Sequence, residues 1–218
     1  MTPKISIRVA RSEDHDAVIA FLRVHYYKEE PITVAHPTVG ITKDDENFTM
    51  LNLKYGTILI ACDENANNKI VGTIVAGPLE HGDADKMIED AKTTETEKWR
   101  DISLFLAYIE KKADILNRFH LENCLHVHAL GVDQAYRGQK LGEKLFAACF
   151  ENGKRLKYRL VSADCTSIYS VKICVRLGMQ NVSLVTYDEY HDILGKKVFK
   201  PSPPNMEIQT FVKRLDVI

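Results

Sequence analysis

The chain has 218 residues, 45% of them hydrophobic, and its 29 lysines and arginines nearly balance 30 aspartates and glutamates for a formal net charge of −1. That length supports one domain with a substantial core, and the balanced charge excludes a protein that coats nucleic acid, which needs a phosphate-neutralising excess. No apolar run is long enough to span a bilayer, and the opening MTPKISIRVARSEDHD lacks the apolar stretch of a signal peptide, so a cytoplasmic location is expected.

Ile5 to Ala10 alternates apolar and polar residues, as a half-buried edge strand does. Ser12 is the expected N-cap of a helix reaching about Tyr27, with Glu13 and Asp14 in its first turn. Pro31 and Pro37 bracket an irregular segment, and residues 44–54 read as a second helix. Thr57 to Cys62 and Lys69 to Ala76 read as a hairpin around a polar turn, ended by Gly77-Pro78. Residues 81–121 carry helical spacing at Ile102, Phe105, Leu106, Ile109 and Leu116. This predicts helices inserted before the central strand, as a packing element in preference to a substrate lid. Cys124 to Val132 is the central strand. A helix over 142–153, a strand over 158–165 and a helix over 167–177, stopped by Gly178, follow it. Strands at 180–186 and 208–214 complete the sheet, and Pro201, Pro203 and Pro204 force an irregular loop between them. The expected fold class is α/β (α+β): one domain over residues 1–218, with a mixed, mostly antiparallel sheet and helices on both faces.

Cys62, Cys124, Cys149, Cys165 and Cys174 show no paired short spacing and mostly sit in apolar runs, which favours reduced, buried thiols. No metal is expected, because His126 with His128 makes only a minimal ligand pair.

The segment His126 to Phe146, HVHALGVDQAYRGQKLGEKLF, has the order strand, glycine-bearing turn, helix. A phosphate cradle uses that order, since the turn and the helix start supply unpaired N–H donors and partial positive charge. Arg137 and Lys140 add full charges, and Gly138 and Gly142 permit close approach of backbone and ligand. The same residues also fit an ordinary strand–helix connection with a solvated basic rim. His126 and His128, two apart on a strand, are expected to share a face. Glu30 follows the first helix and precedes a rigid proline, a place where a partly buried carboxylate can act as a base; Glu29 reads as the solvated neighbour. Asp44-Asp45-Glu46 reads first as an exposed helix start and second as an attractant for a polyamine. Phe48, Tyr27, Tyr187 and Tyr190 are candidate walls for an aromatic amine.

These motifs resemble the GNAT N-acetyltransferase superfamily, whose acyl-CoA motif is Arg/Gln-x-x-Gly-x-Gly/Ala at a helix start. Arg137 and Gly142 match its ends, while Lys140 stands where the family has its first glycine; a right-handed helical backbone is expected there. SIYSVKICVRLGM (167–179) is similar to the second GNAT segment. HVHALGVDQAYRGQ and Glu29-Glu30-Pro31 are similar to arylalkylamine N-acetyltransferases, the Glu-Pro element to their insect branch. The resemblance spans most of the chain, through motifs near 28–31, 125–146 and 163–179.

It implies the GNAT fold, with a V-shaped split between the fourth and fifth strands, here those near 124–132 and 158–165. It also implies acetyl-CoA as the acyl donor. The amides of Leu130, Gly131 and Val132 would pair with the pantetheine. Arg137, Gly138, Gln139, Lys140, Leu141 and Gly142 would hold the pyrophosphate. Glu30 would be the base, with His126 and His128 relaying a proton. Ser167 and Ser170 would bridge to the sulfur, because Cys174 stands where the family's acidic tyrosine belongs and is a poor copy of it; Tyr169 and Tyr187 are possible substitutes. The implied activity is acetyl transfer to the primary amine of a small arylalkylamine or polyamine-like molecule in a ternary complex, by a monomer without nucleic-acid or membrane partners. A protein lysine or N-terminal acetyltransferase and a non-catalytic acyl-CoA-binding regulatory domain are the alternatives.

Overall fold

A computed structural model describes residues 3–216. In chain order the elements are β1 (Ile5–Val9), α1 (His15–His25), α2 (Pro31–Ala35), α3 (Lys43–Met50), β2 (Leu59–Asp63), β3 (Lys69–Glu80), α4 (Asp83–Thr93), α5 (Glu97–Ala113), α6 (Ile115–Phe119), β4 (Asn123–Val132), α7 (Leu141–Arg155), β5 (Leu160–Cys165), α8 (Ile168–Arg176), β6 (Gln180–Thr186) and β7 (Glu207–Arg214). The seven strands form one sheet in the order β1-β2-β3-β4-β5-β7-β6. Every pairing is antiparallel except β4 with β5. This is the mixed, mostly antiparallel sheet expected.

Strand alternation distributes the core between two faces. On one, Ile74, Leu125 and Val161 meet Leu145, Phe146 and Cys149 of α7. On the other, Ile58, Ile60, Val75 and Ala129 meet Val18 and Leu22 of α1. The insertion seals the far end: Phe105 of α5 is fully buried among Tyr187, Tyr190 and Phe199, in a cluster that also holds Ile32 and Ala35 of α2. The helical spacing in 81–121 therefore reports a real packing face. It also places Tyr187 and Tyr190 in the core, not on an open wall.

Two boundaries differ from the sequence reading. Ser12 does not cap the first helix. It begins a short 3-10 turn, in which Asp14 accepts the Arg11 N–H at 2.8 Å, and α1 follows Asp14 without a side-chain cap. Gly77-Pro78 does not end β3, which continues to Glu80. The β2 ladder stops at Leu59↔Ile74, so beyond that point β3 has a partner only in β4. A proline on such a free edge sacrifices no ladder bond. Gly77 answers a different demand, since a Cβ there would fall 1.8 Å from Asn52 Oδ1.

The split between the central strands has a local cause. β4 and β5 pair only at Leu125↔Val161, His126↔Ser162 and Val127↔Ala163. Opposite β3, Ala76 pairs Val127 but Val75 pairs Ala129, so His128 is the extra residue of a β-bulge. A bulge bends its strand and increases local twist. β4 turns away from β5 at that residue.

Candidate active site

The divergence opens a slot of about 620 Å³. One wall is the freed edge of β4 (His128, Leu130, Val132), one is the start of α7 (Arg137, Gly138, Lys140, Leu141, Gly142), and a third is the end of β5 with α8 (Asp164, Cys165, Ser167, Ser170). Glu29, Glu30 and Pro31 close the side toward α1. Of the sequence candidates, Gly131, Gln139 and His126 lie outside the lining. Gly131 faces α1, where a Cβ would approach Phe21 to 3.1 Å; Gln139 is exposed; His126 faces a second cavity.

The turn before α7 is built for an anion. Among the described residues, none of the six backbone N–H groups from Gly138 through Glu143 donates to a protein acceptor, and α7 has no side-chain cap. The helix adds its partial positive charge at the same place. The backbone reaches this shape through two left-handed residues, Gly138 (φ 77°) and Lys140 (φ 60°, ψ 22°). The right-handed expectation for Lys140 is thus corrected. The position keeps the left-handed geometry that suits the family's glycine, although lysine occupies it. Gly142 also serves a different purpose from the one expected: a Cβ there would meet Ile173 Cδ1 at 2.8 Å and Leu130 Cδ2 at 3.4 Å. It lets α7 nest against α8 and β4.

Charge at the mouth is partly committed. Arg137 Nη2 donates to Glu29 Oε2 at 2.8 Å, and Gln134 Nε2 donates to the other oxygen at 2.8 Å. Burial pushes Glu29 up, but these bonds outweigh it and hold the carboxyl below its usual range. Glu29 is therefore a partner of Arg137, not a purely solvated residue. Lys140 and Lys172 line the slot without an ion-pair partner among the described residues. Lys172 and Arg176 escaped the sequence reading, although their i, i+4 spacing on α8 puts both on one face. Tyr169, 71% exposed, stands at the same rim.

Glu30 is buried and caps α2, where Pro31 occupies the favoured first position. Its Oε1 accepts the Ile32 N–H at 3.0 Å and its Oε2 the Thr33 N–H at 2.6 Å. Each oxygen retains a lone pair, and the residue lines the slot. His126 and His128 come together, with ring centroids 4.9 Å apart. Burial, and secondarily the nearby His126, holds His128 well below the ordinary histidine value, so its imidazole is neutral. His126 has Nδ1 2.9 Å from Ser162 Oγ and Nε2 3.6 Å from Asp164 Oδ2.

Ser167 and Ser170 form a reciprocal capping box at the start of α8: Ser170 N–H donates to Ser167 Oγ at 3.1 Å and Ser167 N–H to Ser170 Oγ at 3.3 Å, while Ser170 Oγ donates to the Ser167 carbonyl at 2.8 Å. Their oxygens are 3.0 Å apart. Capping and exposure to the slot coexist. Cys174 is fully buried, its sulfur 3.4 Å from that of Cys165. Tyr187 is buried, its hydroxyl has no partner among the described residues, and it lies outside the lining.

The remaining candidates have structural partners. Asp44 accepts from the Thr96 hydroxyl, Asp45 forms a capping box with Thr42, and Glu46 pairs Arg23 at 2.5 Å. Tyr27 is buried, its hydroxyl donating to the Asp45 carbonyl. Phe48 alone of the proposed aromatic walls faces the interior space, its ring edge-on to His128 with centroids 5.2 Å apart.

The chain as a whole has counterparts among known proteins. The family model described as "Acetyltransferase (GNAT) family" matches residues 23–178. A mosquito arylalkylamine N-acetyltransferase-like 5b structure is 40% identical, with a TM-score of 0.94 over 97% of this chain and 100% of that one. A Drosophila melanogaster polyamine N-acetyltransferase that forms N-acetylagmatine is 36% identical, with a TM-score of 0.91 over 97% of this chain and 100% of that one. With more than half of its length matched and relatives this similar along nearly all of it, the chain belongs to the GNAT acetyltransferase family.

Proposed function

We propose that this enzyme transfers the acetyl group of acetyl-CoA to the primary amine of a small arylalkylamine or polyamine-like substrate, within a ternary complex. The observation that carries the reading is the row of six N–H donors without protein acceptors, at the mouth of a slot whose β4 edge is unpaired. The relatives named for arylalkylamines and for agmatine formation support the acceptor class.

The donors of Gly138 to Glu143 fit a diphosphate, with Arg137 and Lys140 beside it. The free edge of β4 at Leu130 and Val132 can pair with an extended pantetheine arm as an added strand does. Bound there, acetyl-CoA supplies an activated acyl carbon. An amine arrives as ammonium, because free amines have pKa values of about 10. Glu30 accepts a proton from the attacking nitrogen, directly or through water, and its α2 cap holds the carboxylate at the slot. Carbon–nitrogen bond formation is matched by carbon–sulfur cleavage, and the thiolate recovers a proton. Ser167 and Ser170 are placed to hand it over through their coupled hydroxyls. The five buried free thiols support a reducing, cytoplasmic setting.

Purified protein incubated with acetyl-CoA and, separately, tyramine, serotonin, agmatine, spermidine and a lysine-containing peptide tests the proposal by thiol release. Release with a small amine is the expected result. Release with the peptide alone makes it a protein acetyltransferase. CoA binding without release for any acceptor refutes the enzymatic reading.

A further inference from the structure

Behind the split lies a smaller cavity of about 50 Å³ that the steps above leave unused. His128 and Asp164 line both spaces, so the cavity and the slot share a wall. His126, Phe48 and Glu110 complete the part that matters here. At roughly 10–15 Å³ of such space per water, it accommodates a few water molecules and not an amine tail.

Glu110 projects from α5 of the insertion. Its Oε1 accepts the Ala84 N–H at 3.2 Å, and its other oxygen accepts from no protein donor among the described residues. The charged and titratable groups around it are Asp83 and Asp85 of α4, Cys124, His126 and His128 of β4, and Asp164 of β5. Asp85 is paired with Lys111 at 2.6 Å, and Asp164 accepts the Thr210 hydroxyl at 2.7 Å. Burial first, then the negative charges of Asp83, Asp164 and Asp85, push Glu110 up to about 7, against the lowering effect of the Ala84 N–H. A group of that kind exchanges protons at neutral pH. Glu110 is only partly buried, so its proton can pass on to bulk water.

We propose that Glu110 is the sink for the proton that keeps the arriving ammonium unreactive, reached from the slot through His128, His126 and water in this cavity. This rests on the amine-acetylation reading. Ammonium and thioester give amide, thiol and one net proton. Glu30 and the thiolate account for the proton lost during attack. The other leaves when an N–H bond of the ammonium breaks and an O–H bond forms on the Glu110 carboxylate, which later releases it to solvent. Glu110 acts through the imidazoles and touches neither substrate, so it is a positioning residue for the proton.

The test is the pH profile of kcat/KM for the best amine, in the parent and in Glu110→Gln, which keeps an acceptor for the Ala84 N–H. The parent should rise through a limb near pH 7. The variant should lose that limb and fall by roughly 10²-fold at neutral pH, with CoA affinity unchanged. Glu110→Asp should retain the limb at a shifted position, and it carries the test if the glutamine variant does not fold. A limb unchanged in both variants overturns this inference while leaving amine acetylation standing. A parent that acetylates no amine overturns both.

Discussion

Glu30 carries two roles that substitution can separate. As the cap of α2 it satisfies the Ile32 and Thr33 N–H groups, and as a slot residue it presents a carboxylate to the amine. Glu30→Ala removes both acceptors. Losing such a cap costs about 1 kcal/mol at an exposed helix start and up to about 3 kcal/mol where the N–H groups are left unsatisfied in a buried one. The expected loss of stability is thus about 1–3 kcal/mol. Glu30→Gln keeps one carbonyl oxygen for one of these N–H groups, so it should lose about half as much, on the order of 0.5–1.5 kcal/mol. Neither replacement can take a proton, so kcat/KM should fall by about 10²–10⁴-fold in both. CoA affinity should hold in both, because the diphosphate cradle is a separate turn. Urea denaturation, steady-state thiol release and calorimetry with CoA measure the three quantities. The reasoning is refuted if Glu30→Gln turns over as fast as the parent, or if activity across the two variants merely tracks stability. Either result would leave Glu30 as a helix cap and nothing more.

Lys140→Gly should stabilise the protein. A non-glycine residue in the left-handed region costs about 1–2 kcal/mol, and glycine returns about 0.4–1 kcal/mol of that through the entropy of its unfolded chain, leaving a gain of about 0.5–1 kcal/mol. A lower denaturation midpoint for Lys140→Gly would show that the lysine geometry is unstrained. Gly77→Ala should destabilise by about 1–3 kcal/mol through overpacking, because its methyl lands on Asn52 Oδ1 and comes within 3.2 Å of His128 Nε2. It should also reduce acetyl transfer without weakening CoA binding; full activity in a folded variant would dissociate His128 from the reaction.

The parts of the fold that one segment determines were legible. Strand alternation and helical spacing located β4, α7, β5 and α8, because each buries a continuous face whose pattern is written locally. The 81–121 stripe of Ile102, Phe105 and Ile109 likewise identified a packed helix. Features set by a distant partner were not legible. Gly77-Pro78 looks like a strand breaker, and only the early end of the β2 ladder makes proline harmless there. The bulge at His128 adds one residue against β3 without any change in composition, so no local signal marks the point where the sheet divides. Lys140 offers no hint of a positive φ, since the turn geometry overrides what lysine prefers.

The same division runs through the site. The cradle is a contiguous stretch from Gly138 to Glu143, so its donors could be read from order and spacing alone. The candidate residues deeper in the slot and its neighbouring cavity are assembled from α2, β4, β5, α5 and the start of α8, and they had no shared local signature. Glu110 shows why. It sits four residues past Leu106 and one past the buried Ile109, at the flank of the apolar stripe, and nothing in that spacing marks it as facing a cavity. Its setting comes from the fold: α5 lies across the back of the split, and Glu110 lines a cavity there together with His126, His128 and Asp164. The bend in β4 does two things at once. It frees a strand edge along the slot on one side and, on the other, leaves a small cavity where Glu110, His126 and Asp164 meet amid apolar side chains, with His128 at the junction of both.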